Sequence, residues 1–88
     1  MDLGLKNKSV VITGGGSNIG RAIVLGFAAE GARITIGDID EGQGSKVAEL
    51  ALKAGAADVQ VVRTDVTQLD QAQALMDAAV TRYGSLDA

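Results

Sequence analysis

The densest chemical signal in the chain is Thr13-Gly14-Gly15-Gly16-Ser17-Asn18-Ile19-Gly20. It follows an apolar run, Val10-Val11-Ile12, and precedes Arg21-Ala22-Ile23. A strand, a glycine turn and the first turn of a helix in that order aim backbone N–H groups and the positive end of a helix dipole at one point. An anion fits there, most often a phosphate. Two acids stand at comparable places further on, Asp38 after Arg33–Gly37 and Asp65 after Val59–Thr64. An ionised carboxylate is an acceptor only, so at a strand tip it can take hydrogen bonds from donor groups. The chain has no cysteine and no histidine. Disulfides, thiolate nucleophiles and zinc–thiolate sites are therefore excluded, and with histidine go the commonest general base and the commonest metal ligand. No metal site is expected.

The elements that must position these residues follow from the hydrophobic period. Ser9 to Thr13 is short and β-branched, as a strand buried on both faces is. From Ile19 the period changes: Ile19, Ala22, Ile23, Gly26 and Phe27 predict one helix face, stopped by Gly31. Arg33 to Gly37 is the second strand. A helix is expected from about Gln43 to Ala54, with Val47, Leu50, Ala51 and Ala54 inward and Gly55 as its stop. Val59 to Arg63 is the third strand. Thr67 followed by Asp70 reads as a cap with an acid in the first turn. Leu69, Ala72, Met76, Ala79, Val80 and Tyr83 then form a helical stripe up to Gly84. The order β-α-β-α-β-α predicts an α/β fold, a doubly wound parallel sheet of the Rossmann type, of which this is the first half. In the strand order 3-2-1-4 the first strand is left uncovered on one side, and the chain reads as the front part of a domain, stopping before the fourth strand.

Composition narrows the function classes. The 88 residues carry 47% apolar and 22% charged side chains, ordinary for a single globular domain, and a net charge of −3. That charge, with only Phe27 and Tyr83 as aromatics, argues against nucleic acid and anionic membrane as partners. No apolar run approaches the roughly 20 residues of a membrane helix, and residues 1–8 show no signal-peptide core, so a cytoplasmic location is expected.

Tested against known phosphate turns, the strict G-x-G-x-x-G template fails because Ile19 stands at the third glycine. A Walker-type loop fails for want of Gly-Lys-Ser/Thr. T-G-x-x-x-G-x-G fits, with Thr13, Gly14 and Gly20 in place and Asn18 at the middle glycine. Asn is the residue that best tolerates positive φ after glycine. With Gly37-Asp38-Ile39, Thr64-Asp65-Val66 and the helix-ending Tyr83-Gly84 before Leu86-Asp87, the chain resembles the N-terminal third of a short-chain dehydrogenase/reductase over essentially its whole length.

That resemblance implies an oxidoreductase that uses a nicotinamide cofactor to interconvert an alcohol and a ketone on a small molecule. This segment would be the N-terminal part, residues 1–88, of a single NAD(P)-binding domain. Gly14 and Ile19 would face the ribose and pyrophosphate through their backbones, Ser17 and Asn18 would add side-chain hydrogen bonds, and Gly20 is counted with them among the cofactor-binding residues. Asp65 would take the adenine amino group, Val66 would line the adenine pocket, and Thr13 would tie the turn to the next strand. Asp38 stands eighteen residues after Gly20, near the roughly 20 expected for the acid on the adenosine ribose. Its charge repels a 2′-phosphate, and neither Ser17 nor Ile39 is basic where users of NADP carry a cation, so NAD is preferred to NADP. Tyr83 is not the family's catalytic tyrosine, because Asp87 stands where that motif has lysine; it is expected to pack at its helix end. No catalytic residue can be placed, and the 88 residues alone are expected to be inactive. The family also implies a homo-oligomer, a dimer or tetramer. Rival readings are a non-catalytic nucleotide-binding module, an S-adenosylmethionine-dependent methyltransferase, and self-association of two copies along the first strand.

Overall fold

The computed structural model describes residues 4–14 and 17–88. Its elements are β1 (Ser9–Thr13), α1 (Asn18–Ala29), β2 (Arg33–Asp38), α2 (Glu41–Ala54), β3 (Asp58–Arg63) and α3 (Leu69–Tyr83). The three strands form one parallel sheet in the order β1-β2-β3, with β2 central. Parallel pairing needs a long crossover between each pair, and each helix supplies one.

Strand alternation divides the core. Val10, Ile12, Ile34 and Ile36 point to one face, where Val24, Ala28, Val47 and Ala51 of α1 and α2 cover them. On the opposite face α3 brings down Leu75, Ala79 and Tyr83, all buried. Helices on both faces make the sheet doubly wound, as expected. That second face is more polar. Gln60 donates to Thr35 Oγ1 at 2.9 Å and to the Ala78 carbonyl at 3.1 Å, bridging sheet and helix. Tyr83 closes its lower end, its hydroxyl donating to the Ile34 carbonyl at 3.3 Å and to Asp58 Oδ2 at 3.1 Å. Arg82 pairs with the same carboxylate at 2.8 Å. Burial, reinforced by the Asp58 charge, pushes the Tyr83 hydroxyl pKa up, which suits a structural group.

The strands lie where the sequence puts them, within one residue, while the helix faces agree only in part: Val47, Ala51, Ala79 and Tyr83 are buried as expected, and other residues are not. In α1 the buried residues are Gly20, Val24 and Ala28, while Ile19 is 77% exposed and Ile23 nearly half exposed. The helix is apolar almost all round, so a period of 3.6 fits more than one stripe. In α3, Leu75 is fully buried and the predicted Leu69 is 85% exposed; Val80 is also exposed, and Ala72 and Met76 are half-buried. In α2, Leu50 and Ala54 are exposed and Gly44 takes an inward place instead. The inward residues at α3 and α2 share a cause: each touches a place where the sheet or helix has no side chain. A Cβ on Gly37 would sit 2.5 Å from Leu75 Cδ2, and one on Gly44 would sit 2.8 Å from Val61 Cγ1. The closest approaches, rather than the longest apolar stripes, orient the helices.

The outer edge of β1 is not bare along its length, contrary to the sequence-based expectation. The Asp87 N–H donates to the Ser9 carbonyl at 2.8 Å, and the Val11 N–H donates to the Ala88 carbonyl at 2.8 Å. Asp87 Oδ2 accepts the Ser9 N–H at 2.8 Å and the Ser85 hydroxyl at 3.1 Å. Residues 87 and 88 thus run beside β1 on the side away from β2.

Two outcomes follow from this packing. Leu75→Ala should lower stability by about 2–4 kcal/mol, read from urea unfolding, because it opens a cavity against Gly37. The Ser9 N–H holds the Asp87 carboxyl below the usual carboxylate range, so its contribution to stability is present above that range and is lost as pH falls through it. Asp87→Asn should therefore flatten the acid limb of a melting-temperature profile below about pH 4 and lower the plateau above it.

Candidate functional site

All three strands end on one edge of the sheet, and the loops leaving them are held level by backbone bonds. The Gly14 N–H donates to the Gly37 carbonyl at 2.8 Å, and the Thr64 N–H donates to the Asp38 carbonyl at 2.9 Å. Gly14, Gly37, Asp38, Ile39, Thr64, Asp65 and Val66 line a cavity of about 200 Å³ at these tips. Five of the nine residues expected at a site are among them: Gly14, Asp38, Ile39, Asp65 and Val66. Gly37 and Thr64 enter the sequence reading only as the residues preceding the two acids, not as site residues; their signal is that position alone.

The glycine turn is part of the same end of the molecule. Gly14 has φ +66°, a conformation glycine adopts freely. Ser17 caps α1, its hydroxyl donating to the Gly14 carbonyl at 2.8 Å and accepting the Gly20 N–H at 3.0 Å. Gly15 and Gly16 lie outside the described residues. Asn18 faces a neighbouring cleft of about 250 Å³ between α1 and α2, with Arg21, Gln43, Lys46, Val47 and Leu50. Ile19 is exposed and Gly20 buried, and neither borders the strand-tip cavity. The tip cavity therefore gathers the two acids and the first glycine, while Ser17 to Gly20 stand beside it at the start of α1.

The acids are held by the same local device. Asp38 is buried, and its Oδ1 accepts the Asp40 N–H at 2.9 Å. Asp40 Oδ1 in turn accepts the Gln43 N–H at 3.1 Å and caps α2, which is why that helix begins at Glu41, two residues earlier than the sequence suggests. Asp65 Oδ1 accepts both the Thr67 N–H at 3.0 Å and the Thr67 hydroxyl at 2.6 Å. These bonds, the hydroxyl first, hold the Asp65 carboxyl below the usual carboxylate range, with a smaller contribution from Arg63. Thr67 is consequently not the cap of α3. That place falls to Gln68, which makes no side-chain cap bond. The Asp65 N–H is taken by Gln71 Oε1 at 2.9 Å.

The comparisons with known proteins agree with this geometry. The family model described as short chain dehydrogenase matches residues 8–88. The chain belongs to the short-chain dehydrogenase family. An uncharacterized oxidoreductase of Mycobacterium bovis is 44% identical over 84 residues, covering 94% of this chain and 33% of the relative. Levodione reductase of Leifsonia aquatica is 36% identical over 83 residues, covering 92% of this chain and 31% of that enzyme. A short-chain dehydrogenase/reductase from Burkholderia phymatum, solved in complex with NAD, superposes with a TM-score of 0.85 at 40% identity, covering 93% of this chain and 29% of that one. A hydroxysteroid dehydrogenase from Escherichia coli superposes with a TM-score of 0.88 at 31% identity, covering 94% of this chain and 34% of that one. This short-chain dehydrogenase segment thus spans about a third of the length of its relatives. Among the described residues, no helix is long and apolar enough to cross a membrane.

Because Asp40 joins the cap of α2 to the Asp38 carboxylate, Asp40→Ala should cost about 1 kcal/mol in chemical unfolding, and Asp40→Asn should cost a few tenths.

Proposed function

We propose that this segment holds the adenosine–pyrophosphate half of NAD in an oxidoreductase that interconverts an alcohol and a ketone on a small molecule in the cytoplasm. The observation that carries the reading is the cavity at the strand tips, lined by Asp38, Asp65 and Gly14 together with the apolar Ile39 and Val66. The lining groups fit an adenosine. Asp38 is an acceptor for ribose hydroxyls, Asp65 is an acceptor for an exocyclic amine, and Val66 and Ile39 offer apolar surface to the flat faces of a base. Gly14 and the start of α1, where Ser17, Asn18, Ile19 and Gly20 lie, offer backbone donors and a positive helix end to the pyrophosphate.

When bound, the nicotinamide supplies the redox chemistry, and the protein supplies binding and orientation. Within these residues the roles are binding ones. Catalytic groups belong to the remaining two-thirds of a protein of the relatives' length, and assembly into a homo-oligomer is part of the same proposal. Asp38 also sets the preference for NAD. It carries no cationic neighbour at Ser17 or Ile39 that could take up the two charges of a 2′-phosphate.

Calorimetric titration of the chain tests this. Binding of NAD and ADP-ribose, with NADP weaker and S-adenosylmethionine silent, is the expected outcome. Asp38→Ala should weaken NAD by about tenfold and bring NADP closer to it. Unchanged affinity for both cofactors would remove Asp38 from the site.

A further inference from the structure

We propose that Thr67 is a positioning residue that holds Asp65 as an acceptor for the exocyclic amine of adenine, and so sets the selection of adenine over a base without that amine. The inference rests on reading the strand-tip cavity as the adenosine end of a dinucleotide site.

The geometry behind it lies in the turn that follows β3. The Thr67 hydroxyl and N–H converge on one carboxylate oxygen, Oδ1, at 2.6 and 3.0 Å. The other oxygen, Oδ2, has no partner among the described residues. The backbone is pinned as well, because Gln71 Oε1 accepts the Asp65 N–H at 2.9 Å and the Gln68 N–H donates to the Asp65 carbonyl at 3.0 Å. Asp65 is thus fixed at its N–H, its carbonyl and one carboxylate oxygen, while Oδ2 remains an acceptor on a residue that lines the cavity.

An ionised carboxylate cannot donate. It therefore favours the 6-amino group of adenine and disfavours the 6-oxo group of hypoxanthine, which offers only a lone pair there. Discrimination of this kind depends on orientation, since a carboxylate free to turn can spend both oxygens on water. Asp38 accepts the matching backbone bond from Asp40, where the residue two positions on carries a carboxylate rather than a hydroxyl. Thr67 is exposed, and replacing it disturbs no packing.

The test is calorimetric binding of AMP and IMP to the chain and to Thr67→Val, Thr67→Ser, Asp65→Ala and the Asp65→Ala/Thr67→Val double variant. The chain should prefer AMP. Thr67→Val should cut that preference about three- to tenfold, through weaker AMP binding, while Thr67→Ser retains it. Asp65→Ala should remove the preference, and adding Thr67→Val to it should change nothing further. If Asp65→Ala loses the preference but Thr67→Val keeps it, the role assigned to Thr67 is wrong and the adenosine site stands. If Asp65→Ala keeps the preference, or neither nucleotide binds, the adenosine reading fails and the proposal falls with it.

Discussion

The parallel register of β2 with both its neighbours is what the rest of the molecule depends on. Thr13 lies opposite Gly37, and Asp38 lies opposite Arg63. The pairing runs one step past each strand, through Gly14 to Gly37 and Thr64 to Asp38. Those two bonds set the height of three loops relative to one another. A slip of a single residue in a strand would exchange its two faces and carry its tip residue to the other side. Buried Ile34 and Ile36 forbid that slip, since it would turn them toward α3 and bring Thr35 into the apolar face. The site is therefore specified by the core below it.

Two places without side chains transmit that order to the helices. Leu75 sits against Gly37, a residue that also lines the tip cavity, so α3 is seated directly beneath the site. Gly44 brings α2 close to Val61, and the next-nearest atom to a Cβ there would be Asp38 Cβ, at 3.8 Å. Both helices thus touch the strand end that carries Asp38, one from each face. Larger residues at either glycine would act on the site through its supports rather than through its own groups.

How much of this was legible in the sequence follows from which signals were local. The strands were readable because β-branched residues fill short runs between glycines, and their tips named Asp38, Ile39, Asp65 and Val66 correctly as neighbours of Gly14. The helix faces were readable only in part: Val47, Ala51, Ala79 and Tyr83 are buried as expected, but other residues named with them are not. In α1 almost every residue is apolar, so the stripe through Ile19 and Ile23 looked as good as the one through Gly20, Val24 and Ala28. In α3, Leu75 is selected by contact with a glycine nearly forty positions earlier, which no local period encodes. The turns misled for a further reason. Asp40 and Thr67 are both good capping residues, yet Asp40 caps its helix while Thr67 bonds backward to Asp65. Side-chain oxygens near a helix start compete for the same few donors and acceptors, and the backbone decides between them.

The two ends of the sheet use charge differently. At the lower end, Asp58 takes Arg82 and the Tyr83 hydroxyl, and the Arg33 guanidinium stands 5.4 Å from the centre of the Tyr83 ring. Charges there meet opposite charges or a polarisable ring, and bind helix to strand. At the upper end Asp65 is held mainly by neutral donors from Thr67, with Arg63 a lesser influence. A cation bonded to that carboxylate would bind it as firmly, but it would compete with any ligand for the same lone pairs. Neutral donors on one oxygen orient the group and leave its charge available. That division gives the lower end to stability and, on the proposed function, the upper end to recognition, and both are set by strands of only five or six residues.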